Sequence, residues 1–542
     1  MSTKLFVFEN HDAFINSPIF LFKRMPKRQL PHSETLVNAV QKHLARQIIE
    51  WYGINSYENQ NPNSLQGGDM KQLENLIDRI IERVNINLRA AGMDVGPYIR
   101  KAVPFSHLVK FYSFYGFSPQ HPVLFSFRRS NLAGSYFFGK CTVDLSVVYK
   151  SDIRGDELKQ RGEVYPFQGS KIHLRDDEVI RIRDAYLVKT LVHNHSHNPE
   201  DLETFLIQNT VALHYANIHG APVEGCFLGP FSTVDLTTLY NCIIGTFAYV
   251  QVGELAHQQV EPGRIWVKKK DVFDFSYCFP KKVLDNYIVL EPDKKPRGIF
   301  IDFVDTRKTD FQEIFDVVDL KVSISVPSSA SVSRYALVRG ESHISENVLI
   351  AQRAYLENAW MGKGANAQED CYIIDSRLEG NNVTAHGVKI IHARLGKNVF
   401  VGFNSFLRGT PDHKLTIGKG SIIAPHTIID LDEPVDIPAG HLAWGYIRNK
   451  KDLKKHSISA KELSKVNGKV KVGAMKFEGS GAKFVKAFQH RIDHILEANG
   501  AYFDGKNNKG HAQTEQDIAF NIIHPYSKGR LKGLYPSIDV RP

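Results

Sequence analysis

The chain has 542 residues, 42% hydrophobic and 11% aromatic, which is apolar enough to bury several cores and rules out a wholly disordered protein. No apolar run reaches the roughly 18 residues of a membrane span, and the opening MSTKLFVFENHDAF lacks a signal peptide's basic-then-apolar layout, so a cytoplasmic location is expected. The net charge of +10 comes almost wholly from residues 449–542, which hold 18 Lys and Arg against 9 Asp and Glu. That tail reads as a solvated basic surface. Its aromatics Phe477, Phe484, Phe488, Tyr502 and Phe503 are spaced for helix packing, which speaks against nucleic-acid binding. The five cysteines (141, 226, 242, 278 and 371) are few and scattered, with no C-x-x-C pair. They fit reduced thiols better than a disulfide frame.

In chain order, residues 1–130 read as a helical N-terminal domain. LVNAVQKHLARQIIEWYG and MKQLENLIDRIIERVNINLRAAG both carry apolar residues at spacings of three and four, with a turn-forming Asn-Pro-Asn loop between them. The aromatic run at 105–127 is expected to dock this part on the next domain. From 131 the pattern changes to short strands with recurrent glycine. Leu395, Val401 and Leu407 lie six apart, as do Gly396 and Gly402, and the sixes continue as TIGKGS, IIAPHT and IIDLDE (416–433). Residues 223–255 repeat in the same rough sixes. Each six makes one short strand and a corner. Three sixes close a coil of about 18 residues, and coils stack at about 4.8 Å with the aliphatics inside, as in a parallel β-helix.

These sixes resemble the hexapeptide-repeat, left-handed β-helix superfamily over residues 131–268 and 321–448. The predicted fold class is therefore mainly β, two left-handed β-helix segments with a helical N-terminal domain and a helical C-terminal tail (449–542). The two segments look like copies. Ile153-Arg154-Gly155-Asp156 matches Val338-Arg339-Gly340-Glu341, and PGRIW (262–266) matches AGHLAW (439–444). Residues 269–320 break the period and read as an insertion.

The stretch from 192 to 220 holds five of the 23 histidines. On stacked coils, His214 and His219 sit near neighbouring corners and His193 stands one coil below. Three neutral imidazoles suit zinc or iron and leave a position for water. A metal-free, hydrogen-bonded polar cluster is the other reading of the same residues. In order, SDIRGDE (151–157), LVHNHSHNPED (191–201) and LHYANIHG (213–220) resemble the gamma-class carbonic anhydrases, β-helix trimers with a three-histidine metal site between subunits. The resemblance implies His193, His214 and His219 as ligands, one of the H-x4-H pair reaching a neighbouring subunit. It implies an interface ion pair of Arg154 and Asp156, Glu157 near a metal-bound water, and Glu200 as a proton-handling acid. The reaction implied is attack of metal-bound hydroxide on carbon dioxide or a similar small electrophile. Arg181-Ile182-Arg183-Asp184 departs from that family's Asn-x-Gln-Asp, and its distance to His193 leaves His195 and His197 open as the first ligand. The second copy, with Asp375, His386 and His392, has H-x5-H instead and reads as degenerate or structural.

Two other functions suit the same fold. Acyl transfer from a thioester of coenzyme A or acyl carrier protein needs one basic histidine at a cleft between subunits, for which His386, His392 and His426 are candidates. PAGHLAWGYIRN (438–449) resembles the last coil of such transferases, although Tyr446 stands where their proline follows the glycine. A non-catalytic scaffold is the third. The metal reading leads, with a small-molecule substrate and a homo-oligomer, a trimer as in the resembling families. The fold alone does not decide among the three.

Overall fold

The structure is a computed structural model that describes residues 67–109, 112–118, 121, 124–167, 170–194, 202, 204–311, 325–516, 518–523 and 538–540. The helix expected over LVNAVQKHLARQIIEWYG lies outside the described residues, as do His195, His197 and Glu200.

The aliphatic period folds into stacked three-sided coils. In the first copy the strands Asp152–Arg154, Leu191–His193, Asn217–His219, Thr233–Asp235 and Tyr249–Gln251 run parallel up one face. Their middle residues Ile153, Val192, Ile218, Val234 and Val250 pair in register and are fully buried, which forms the inner ladder the spacing demands. Each such side chain contributes roughly 1.5–3 kcal/mol by leaving water. The second copy builds the same ladder from Leu356, Ile373, Ile390 and Leu407.

The most regular coils of each copy are shorter than 18 residues. Asn217, Thr233 and Tyr249 are register partners 16 apart, and Tyr355, Tyr372, Lys389 and Phe406 are 17 apart. The shortening falls on one side of each coil. In the first copy, strands begin at Val211, Asn217, Val223 and Phe227, so two sides keep the six-residue step and the third has four.

The helix Gly67–Leu88 lays Leu73, Leu76, Ile80 and Val84 on an outer face of the first copy against Val147, Tyr186, Val211 and Phe227. Arg79 Nε fixes it further by donating to the buried Asp184 at 2.8 Å. The segment after the first copy forms the hairpin Arg264–Lys269 with Phe273–Cys278, then the short helices Lys281–Tyr287 and Ile299–Asp305. The tail is not simply helical. Its hairpin Asn467–Val472 with Met475–Ser480 adds to Phe273–Cys278 and so extends the first copy's sheet. The helix Gly481–Ala498 then packs on that extension and on the second copy. At the other end, Ala519–Ile523 pairs antiparallel with Ser113–Phe117 and covers an edge that would otherwise invite association. No helix among the described residues is long and apolar enough to cross a membrane. The five cysteines form no disulfide.

Candidate active site

On the outward side of the first copy's face, Arg154, His193, His219 and Asp235 are successive register partners. Strand pairing therefore stacks one guanidinium, two imidazoles and one carboxylate, one per coil. In the second copy, Gln352, Glu369, His386 and Phe403 occupy the same corner of successive coils, 17 residues apart. The two rows meet rung by rung at the seam between the copies. Arg154 Nη1 donates to Gln352 Oε1 at 2.8 Å and is ion-paired to Glu369. His193 Nδ1 lies 3.4 Å from His386 Nε2. The Phe403 ring sits 5.3 Å from the His219 ring and 5.4 Å from that of His386. Gly387, at φ +75°, leaves room beside His386 for the Asn404 side chain, whose Oδ1 would lie 2.2 Å from a Cβ there.

His193, His219 and His386 are only 8%, 8% and 2% exposed, and each offers a ring nitrogen within 4.8 Å of the others. Each ring also faces a carboxylate. His219 Nδ1 donates to Asp235 Oδ1 at 2.9 Å, His386 Nδ1 lies 2.7 Å from Glu369 Oε2, and His193 Nε2 is 3.6 Å from Asp156 Oδ1. Burial pulls all three imidazoles below the usual histidine range, His386 to about 3, so they are neutral near pH 7. Asp235 stays ionised despite burial because Arg491, from the tail helix, grips it at 2.6 and 2.9 Å and His219 donates to it. The arrangement can hold a cation among three imidazoles. It can also relay a proton through one of them.

Next to the histidines, Arg154 also binds Asp156 through Nε at 3.1 Å and Glu515 at 3.2 Å. His511 bridges Glu157 at 3.1 Å and Glu515 at 2.9 Å. Burial alone would deprotonate His511, but Glu515 and Glu157 hold it well above the usual histidine range, hence charged.

The sequence-predicted residues are placed as follows. His193 and His219 converge, and the third member of the group is His386 from the second copy. His214 stays apart, buried among the charges of Lys189, Lys308 and Lys295. The reason is local. The five-residue step from 214 to 219 turns a corner, so His214 sits at the turn and His219 on the outward face of the next strand. Arg154 and Asp156 do pair, but the interface they serve lies between the two copies of one chain. Glu157 Oε2 is 4.0 Å from His193 Nε2. Glu200, His195 and His197 fall outside the described residues. His392 stands elsewhere, half-buried, with Asp375 at 3.7 Å. His426 is fully buried with both nitrogens occupied, by Phe247 O at 3.1 Å and Thr233 Oγ1 at 2.9 Å. Sequence reasoning missed Glu369, Asp235 and Arg491.

Asp152 lies on the same outward side as Arg154. Burial raises its carboxyl to about 6, against the pull of Arg353 and Arg154. A folded pKa above the unfolded value of about 3.9 favours the protonated form on folding. The stability it gives below about pH 4 is therefore lost as pH rises through 6, by up to about 3 kcal/mol. Asp152→Asn is expected to flatten that slope, read from urea midpoints between about pH 4 and 7. An unchanged slope would assign it to another group.

Residues 170–292 match the family model described as a hexapeptide repeat including loop. A crystal structure of a putative acetyltransferase from Desulfovibrio desulfuricans G20 shares 54% identity, with a TM-score of 0.81 over 87% of this chain and 99% of that one. A second putative acetyltransferase, from Bacillus cereus, is 17% identical over 34% of this chain and 92% of its own, with a TM-score of 0.24. The acetyltransferase domain of PglB from Neisseria gonorrhoeae FA1090, solved with acetyl coenzyme A, is 16% identical over 27% of this chain and 64% of its own, with a TM-score of 0.12. The last two carry the argument no further. No curated protein matches the chain.

Proposed function

This chain belongs to the hexapeptide-repeat left-handed β-helix family, and on that premise we propose that it is an acyltransferase, moving an acyl group from a coenzyme A or acyl-carrier thioester to the amine or hydroxyl of a small acceptor. The observation that carries this reading is the relative bearing an acetyltransferase name, 54% identical and matched over 99% of its length. His386 is the assigned general base. Burial keeps its imidazole neutral, and the Glu369 carboxylate, 2.7 Å from Nδ1, would stabilise the imidazolium that forms. The acceptor loses its proton to the imidazole as it attacks the thioester carbonyl. The new C–N or C–O bond forms, the C–S bond breaks, and the departing thiolate takes the proton back as free thiol. Thiol release from acetyl coenzyme A, followed across a panel of amines and alcohols, tests this. Acceptor-dependent release is expected. Neither release nor calorimetric binding of acetyl coenzyme A would sink the reading.

One specific observation favours a second reading, the metal site implied by the carbonic anhydrase resemblance. Three imidazole nitrogens lie within 4.8 Å of one another, each ring has a carboxylate within 4 Å, and His219 donates to Asp235. A carboxylate–histidine hydrogen bond such as that of His219 orients a metal ligand. His193, His219 and His386 thus fit zinc or iron, which would supply Lewis acidity toward carbon dioxide or another small electrophile. Elemental analysis is expected to find about one metal per chain in the wild type and in His214→Gln, and none in His386→Gln. A wild type that stays metal-free after reconstitution removes this reading.

A further inference from the structure

A cavity of about 370 Å³ opens where the two copies meet, on the Asp152 side of Arg154. Tyr215 and Tyr372 are among the rings that wall it, and Lys189, Arg353 and Asp152 bring charge to it. Asp152 is fully buried, and among the described residues neither of its carboxylate oxygens has a hydrogen-bond partner. Its nearest cation, Arg353, stands 3.7 Å away and is committed to Asp370 at 2.9 Å. A buried carboxylate left without donors costs several kcal/mol, which a donor on a bound compound would offset. Lys189 is the complementary case. Its ammonium donates to Tyr215 Oη at 3.0 Å, and no carboxylate among the described residues lies within ion-pair distance. Arg353 Nε likewise has no hydrogen-bond partner among the described residues. The cavity therefore presents an acceptor short of a donor, an ammonium short of an anion, a guanidinium N–H left over beside its Asp370 pair, and aromatic walls, in a volume suited to a small ring compound.

We propose that this cavity binds a small ring compound with an anionic group, taken by Lys189 and Arg353, and an ammonium, amino or hydroxyl group, taken by Asp152. Gln352 lines the same cavity and accepts from Arg154, so the compound lies one side chain from the seam. In naming the compound the acyl acceptor, the proposal rests on the acyl-transfer reading. As a binding site it does not.

The test is calorimetry with 4-aminophenyl phosphate and phenyl phosphate, with no acyl donor present. The wild type is expected to bind 4-aminophenyl phosphate at one site and phenyl phosphate about tenfold more weakly, since a hydrogen bond to a charged group is worth about that much. Lys189→Gln should weaken both compounds about tenfold. Asp152→Asn should weaken only the amine. No saturable binding, equal affinities of the two compounds, or an unchanged Lys189→Gln overturns the site. If Asp152→Asn does not fold, the compound pair and Lys189→Gln still decide. Acetyl coenzyme A turnover without phosphate-compound binding would overturn this site and leave the acyl-transfer reading standing. Binding without turnover would do the reverse.

Discussion

Replacing Arg154 with methionine is expected to destabilise the protein by about 3–5 kcal/mol, the cost of breaking a buried ion pair from one side. The side chain is 4% exposed and holds Asp156, Glu369 and Glu515 together with Gln352. Methionine fills much of the volume but takes the guanidinium away from Asp156 and Glu369 and leaves Glu515 only the charge of His511. Lysine is expected to restore only part of the loss, because its single ammonium cannot reproduce the guanidinium's fork of bonds. The matching arginine of the second copy provides the control. Arg339 is half exposed and pairs with Asp310 at 2.8 Å. Arg339→Met should therefore cost no more than about 1 kcal/mol. Urea unfolding of both variants checks the pair. Equal losses would mean that the seam is not tied at Arg154.

The second large effect is expected at Phe484. Its ring is 2% exposed and lies 5.1 Å from Phe273, 5.3 Å from Phe275, 5.5 Å from Phe477 and 4.9 Å from Phe488. Those four rings come from the hairpin after the first copy, the tail hairpin and the tail helix. Phe484→Ala opens a cavity where all three meet and should cost about 3–5 kcal/mol. Because the same helix carries Arg491 to Asp235, the variant should also loosen the carboxylate behind His219. A loss under about 1 kcal/mol would show that the tail docks independently of this cluster.

The repeats were legible because their cause is local. An aliphatic every six residues must face inward, and Val192, Ile218, Val234 and Val250 do so. The coil length was less legible, since the missing residues come from one side of the triangle. The tail was half legible. Phe484 and Phe488 do lie on a helix, whereas Phe477 lies on a strand of the extended sheet. At the site, His193 and His219 could be picked from one copy's pattern. His386 was legible only as a candidate acyl-transfer base, and its place beside them was not, because it joins them only when the two copies pack, 193 residues from His193 along the chain. One signal did exist. Gln352, Glu369, His386 and Phe403 recur at intervals of 17, which marks one corner row once the coil length is known. Arg491 left none, since the helix that brings it to Asp235 carries no repeat.

The matching arginines of the two segments stand in different surroundings. Arg154 is buried and ties the segments together, while Arg339 is a half-exposed surface partner. The second segment brings His386, Glu369 and Gln352 to the first segment's row. The candidate centre is therefore one that draws on both segments.

The most direct test of that account compares acetyl coenzyme A turnover in His386→Gln and His392→Gln. The seam reading predicts that His386→Gln lowers kcat/KM by about 10²–10⁴-fold, as expected for loss of a general base, and that His392→Gln stays within about twofold of wild type. Loss of turnover in His392→Gln with His386→Gln unimpaired would contradict it and move the chemistry to the outer corner of the second copy.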